Sequence, residues 1–187
     1  MKKEKVQERI IRVASDLFYR QGFNSTGINQ IIAEADIAIG SLYNHFSSKN
    51  DLLLAYLIKE EIEWFNGFDV FSANISEIRK KILSLVDYRK KLQQSSEFAG
   101  CHFIKIISET GESSPAISDF VKQHKDKQKN MIREMVEQFA ENHAHIDINL
   151  ATENIFLLIE GAVVTSTIQK NTTSFDQIRK IIEAQLS

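Results

Sequence analysis

Gly40, Ser41, Tyr43, Asn44 and His45 gather small and hydrogen-bonding residues within six positions of this 187-residue chain. Hydroxyl, amide and imidazole groups can read or grip another molecule, and a glycine lets the backbone come close. On one helix face, such residues suit a DNA major groove, because long apolar side chains would hold the helix off the duplex. Catalysis is not indicated. The chain has no nucleophile motif, no glycine-rich phosphate loop and no paired acidic metal motif, so neither an enzyme nor a cofactor is expected. His143-X-His145 does not have the i, i+4 spacing of a helical metal pair, so no metal site is expected.

The elements that must position this face lie on either side of it. Ile28, Ile31, Ile32 and Ala35 recur at helical spacing, and Leu42 and Phe46 do so again after a tight corner, which makes a helix-turn-helix. A first helix is predicted over about Lys5 to Gln21, burying Ile10, Val13, Ala14, Leu17 and Phe18. Gly22 is placed to end it in a left-handed conformation, with Phe23 folding back. Ser25 or Thr26 is expected to cap the second helix, and the third should span about Ala38 to Phe46. Ser48-Lys49-Asn50-Asp51 opens a fourth helix carrying Leu52, Leu53, Leu57, Ile62 and Phe65, with a break expected at Asn66-Gly67. Further helices are predicted at about 75–95, 98–110, 115–143, 149–169 and 174–186, with Ser114-Pro115 as a helix start.

Composition agrees with this reading. One proline, seven glycines and few alternating Val, Ile and Thr runs indicate an all-α protein. The net charge of −2 hides an asymmetry: residues 1–50 carry seven Lys/Arg against five Asp/Glu, and residues 51–187 carry sixteen against twenty. A mildly basic head on an acidic body suits contact with phosphate at one end. A single cysteine excludes an internal disulfide framework. The segment from Ile155 to Ile168 is interrupted by Glu160 and reads as too short to span a bilayer. No membrane association and a cytoplasmic location are therefore expected.

Residues 8–57 resemble the DNA-binding domain of the tetracycline-repressor (TetR) family of bacterial transcription regulators. The resemblance rests on Ile10…Ala14…Leu17-Phe18, Gly22-Phe23, Thr26…Ile31-Ile32-Ala33 and above all Gly40-Ser41-Leu42-Tyr43-Asn44-His45-Phe46…Lys49…Leu52. It implies a helix-turn-helix DNA-binding domain over 1–48, extending to about 57, and a helical ligand-binding and dimerisation domain over 49–187, with about nine helices in all. It also implies roles. Gly40 and Ser41 face the groove, Tyr43 and His45 bond phosphates, and Asn44 reaches a base edge. Lys49 and Thr26 add phosphate contacts at helix starts, and Asn29 lies on the outward face of the second helix. Three positions depart from the family pattern: Asp36 stands where glycine is usual, Ala38 replaces a Ser or Thr cap, and Ile39 replaces a polar or basic residue.

Two tasks are implied for the body: pairing with a second copy and holding a small-molecule inducer. The pairing stripe is read as Phe156, Ile159, Ala162, Val163 and Ser166 of one helix with Phe175, Ile178 and Ile182 of the last. The pocket candidates are Cys101, Phe103, Ile104, Ser108, Phe120, Phe156 and Glu160. Gly100-Cys101 resembles a segment that many family members place below the ligand cavity. The implied function is a homodimeric repressor that leaves double-stranded operator DNA when an inducer binds. The alternative is a thiol-based redox or electrophile sensor acting through Cys101, with His102 alongside it and Lys105 one turn on.

Overall fold

A computed structural model describes residues 4–111 and 114–187, and among them it contains nine α-helices and no strand. They are α1 (Val6–Gln21), α2 (Ile28–Glu34), α3 (Ile39–Tyr43), α4 (Lys49–Ser72), α5 (Ile78–Ser95), α6 (His102–Thr110), α7 (Pro115–Ala140), α8 (Ile148–Gln169) and α9 (Thr173–Gln185). The chain gathers into two compact units. One holds the residues up to Glu63 together with His102–Val121, and the other holds Trp64–Cys101 and Lys122–Ser187. Helices α4 and α7 each contribute to both.

In the first unit, α1 buries Ile10, Val13, Ala14, Leu17 and Phe18, the apolar stripe expected of it. Gly22 ends the helix at φ 92°, ψ 156°, an extended mirror region that only glycine enters without strain. That turn returns Phe23 edge-on to Phe18, with ring centroids 5.3 Å apart. The α2–α3 corner passes through Asp36 at φ 49°, so the residue standing in for glycine adopts the left-handed conformation. Ile31 and Leu42 are fully buried beneath the corner. Ser48 Oγ accepts the Asp51 N–H at 3.1 Å, the expected opening of α4.

The expected break at Asn66-Gly67 does not occur, because α4 continues to Ser72. Gly67 serves packing instead. Tyr88 of α5 crosses at this point and donates its hydroxyl to the Trp64 carbonyl at 3.0 Å, and a Cβ on Gly67 would run into that hydroxyl. Gly67→Ala should therefore lower stability by about 1–3 kcal/mol despite alanine's better helix propensity. Urea denaturation checks this. Equal or greater stability in the variant would mean that Tyr88 does not depend on the gap.

In the second unit, α8 packs against α5 and α9. Asp147 caps α8 by accepting the Leu150 N–H at 3.0 Å, and Lys170 closes it in a left-handed conformation at φ 54°. This packing corrects the pairing stripe. Ile159, Ala162, Val163, Ser166, Phe175, Ile178 and Ile182 are all buried within the single chain, and Phe156 is half-buried. Apart from the half-buried Phe156, this face is already covered by its own chain and offers a partner little apolar surface. The uncovered apolar face of α8 is a different one, running Leu150, Leu157, Gly161, Val164 and Ile168, with Ile181 exposed on α9. At 22 residues α8 is long and apolar enough to cross a bilayer by length and composition alone, a test that the core helix of a helical bundle also passes.

Candidate nucleic-acid interface

The corner between α2 and α3 places the short helix α3 with Leu42 inward and its other residues outward. Ile39, Gly40, Tyr43, Asn44 and His45 are exposed, and Ser41 is half-exposed. Tyr43 leaves half of its surface open to solvent. Nothing lies within 4 Å of a Cβ built on Gly40, so its smallness serves approach from outside rather than internal packing. Asn29 is exposed on α2. These side chains form a hydrogen-bonding surface over an apolar anchor.

Two of the anticipated contact residues are committed inside the head. Thr26 does not cap α2, since Gly27 holds that position without a side-chain bond. Thr26 is buried, its hydroxyl donates to the Gly22 carbonyl at 2.7 Å and its N–H to the Phe23 carbonyl at 3.2 Å. It therefore locks the α1–α2 turn instead of offering a donor outward. Lys49 donates to the Phe23 carbonyl at 2.6 Å and lies 4.1 Å from the centre of the Phe23 ring. Burial lowers its pKa, and the nearby Glu109 carboxylate partly offsets this. Ala38 precedes α3 without a side-chain cap, as the sequence indicates.

Helix α6 fastens the same unit. Glu109 accepts the Asn24 N–H at 2.8 Å, and Lys105 donates to the Tyr19 carbonyl at 2.6 Å and lies over the Tyr19 ring. His102 stacks on Tyr19 at 3.7 Å, and its Nδ1 is 2.5 Å from the Tyr56 hydroxyl and 3.3 Å from Glu60. His102 and Lys105 are thus engaged with α1 and α4 of the first unit. Lys125 lies 3.8 Å from the sulfur of the buried Cys101 and holds both Glu160 oxygens at 2.9 and 2.8 Å.

The pocket candidates separate in the same way. Ile104 and Ser108 are exposed, Phe103 is buried and Phe120 is half-buried, all in the first unit. In the second unit a small, half-open hollow is lined by Phe156 and Glu160. The sequence reading missed its other walls: Trp64, Leu85, Arg89, Gln128 and Ile132, with Ile159 assigned elsewhere. One signal was present, because Arg89 shares the buried face of α5 with Ile82, Leu85, Val86 and Gln93.

Comparison with known proteins matches the head to a family. Residues 10–56 fit the family described as bacterial regulatory proteins, tetR family. The HTH-type transcriptional regulator QacR of Staphylococcus aureus is 36% identical over 59 residues, which cover 32% of this chain and 31% of that protein. LmrA of Bacillus subtilis, also an HTH-type transcriptional regulator, is 40% identical over 58 residues, 31% of each chain. The match thus spans about a third of the length of these relatives. Over nearly the whole chain the fold is that of SCO4454, a TetR-family transcriptional regulator from Streptomyces coelicolor, with TM-score 0.87, 23% identity and 97% and 94% of the two chains covered. The reduced form of NemR from E. coli superposes with TM-score 0.81 at 18% identity, covering 95% of each chain.

Proposed function

We propose, from the match of residues 10–56 to the tetR family of bacterial regulatory proteins, that this chain is a cytoplasmic, homodimeric transcriptional repressor released from operator DNA by a small molecule. The observation that carries the reading is the exposed surface of α3 and the turn after it, Gly40, Tyr43, Asn44 and His45, above the buried Leu42. Within it, Tyr43 and His45 bond phosphates, Ser41 and Asn44 reach base edges, and Asn29 reaches the duplex from α2. Residues 1–48 act as the DNA-binding domain and residues 49–187 as the pairing and ligand-binding domain.

One short recognition helix reads too few base pairs for a specific site, and a two-fold dimer doubles the half-site. The uncovered stripe of Leu157, Gly161, Val164 and Ile168 on α8, with Ile181 of α9, supports pairing with a second copy. Release follows if the ligand prefers a dimer whose two heads do not match the spacing of one DNA turn, roughly 34 Å. Helix α4 runs from Lys49 beside the head to Trp64 in the cavity wall and beyond, so a ligand that displaces Trp64 acts on the helix that continues into the head.

Capture of source-genome fragments on the full-length protein, followed by gel shifts, tests this function. The expected result is enrichment of a few fragments sharing an inverted repeat. Affinity for them no greater than for random duplex at about 0.15 M salt would refute specific repression.

A further inference from the structure

Arg89 is 94% buried, being 6% exposed, and its Nη2 meets no hydrogen-bond acceptor. No carboxylate forms an ion pair with it among the described residues. The guanidinium carbon lies 5.9 Å from the centre of the Trp64 ring. Trp64 has the same defect: it is buried, and its indole Nε1 has no acceptor. Both residues line the cavity of the second unit. An arginine stays charged at any physiological pH, and a buried cation without a counter-ion is strongly unfavourable. Two buried donors on one cavity wall thus have no acceptor among the described residues.

The carboxylate already in the lining does not fill this role. Glu160 is held by Lys125 through both oxygens. Gln128 Oε1 also faces Lys125, at 3.3 Å, which leaves the amide N–H₂ of Gln128 as a further donor. The rest of the wall is apolar, including Ile132, Ile159 and Phe156. The empty space is small, so an organic ligand must push side chains aside, and Phe156 is half-buried while its neighbour Ile159 is buried.

We propose that this cavity binds a compact carboxylate with an apolar body, of the aryl or branched-acyl class, through the Arg89 guanidinium and the Trp64 indole N–H. A guanidinium takes both carboxylate oxygens in parallel, and the indole N–H donates to one of their remaining lone pairs. The apolar body packs where Phe156 now stands. The proposal rests on the ligand-released reading above and assigns the class of the ligand.

The test uses the full-length protein with benzoate, phenylacetate and isovalerate as probes and benzamide as the neutral counterpart of benzoate. At least one carboxylate should raise the melting temperature and bind in calorimetry, with benzamide at least 10-fold weaker. Arg89→Met should abolish carboxylate binding and, by removing an uncompensated buried charge, raise the unliganded melting temperature by about 2–4 °C. No binding of any of the three carboxylates, or benzamide binding as tightly as benzoate, would overturn the site. So would carboxylate affinity retained in Arg89→Met. If Arg89→Met does not fold, the benzoate–benzamide contrast in the wild type decides alone. A carboxylate that binds with equal affinity in the presence and absence of operator leaves the site standing and refutes release, because coupling must be reciprocal.

Discussion

Leu157→Glu should convert a dimer into a monomer and remove specific DNA binding while leaving the fold intact. Leu157 is 61% exposed, so a glutamate there stays hydrated in the free chain. At a two-fold contact it would be buried without a partner and close to the Glu of the second copy, a like-charge pair in a poorly solvated place. The neighbouring Gly161 has no atom within 4 Å of an added Cβ, so Gly161→Arg should act in the same way by blocking helix approach. A lone head loses half of the operator contacts, and specific affinity should fall by at least about 10³-fold toward the non-specific level. Val163→Glu makes the contrast. Val163 is 2% exposed, and this substitution should unfold the body rather than merely separate the copies. Light scattering and circular dichroism distinguish the two outcomes. A wild-type protein that is monomeric at micromolar concentration contradicts the pairing face outright.

Asn44→Ala and Tyr43→Ala should both weaken operator binding, but in different ways. A base-edge contact is worth about 1–3 kcal/mol and is counted twice in a two-fold dimer, so Asn44→Ala should cost about 30-fold or more on the operator and little on random duplex. A phosphate contact carries no sequence information, so Tyr43→Ala should reduce affinity for both duplexes by a similar factor. Both residues are exposed and outside the core, and neither change should alter the circular dichroism spectrum. If both variants bind both duplexes as the wild type does, the α3 face is not the reading surface. Lys49→Ala behaves differently, because the ammonium holds the Phe23 carbonyl. It should lower the stability of the head as well as its affinity for DNA.

The resemblance and the local patterns made the head legible. The Leu42–Phe46 spacing, the Ser48–Asp51 cap and the Gly22-Phe23 turn act over a few residues, and each has its expected structural role. Thr26 was misplaced for the opposite reason. A threonine before a helix can cap forward or bond backward, and only the nearby Gly22 carbonyl settles which it does. Asn66-Gly67 was misplaced likewise, since a glycine that ends a helix and one that admits a crossing tyrosine look alike along the chain.

By itself the sequence determined that the chain is helical, where most of its helices begin, and which polar residues lie on the exposed side of the short helix over Leu42. Those properties depend on residue type and on spacing within a turn or two. Tertiary structure alone decided which side of α8 is core. That helix is apolar on nearly every side, so periodicity gives it no direction, and the packing of α5 and α9 covers Ile159, Ala162 and Val163 while leaving Leu157, Val164 and Ile168 bare. It also decided that Arg89 and Trp64, 25 residues apart in the chain, share one cavity wall with two unsatisfied donors. Burial and the absence of a partner belong to the assembled packing, because they depend on what every neighbouring helix brings to the same space.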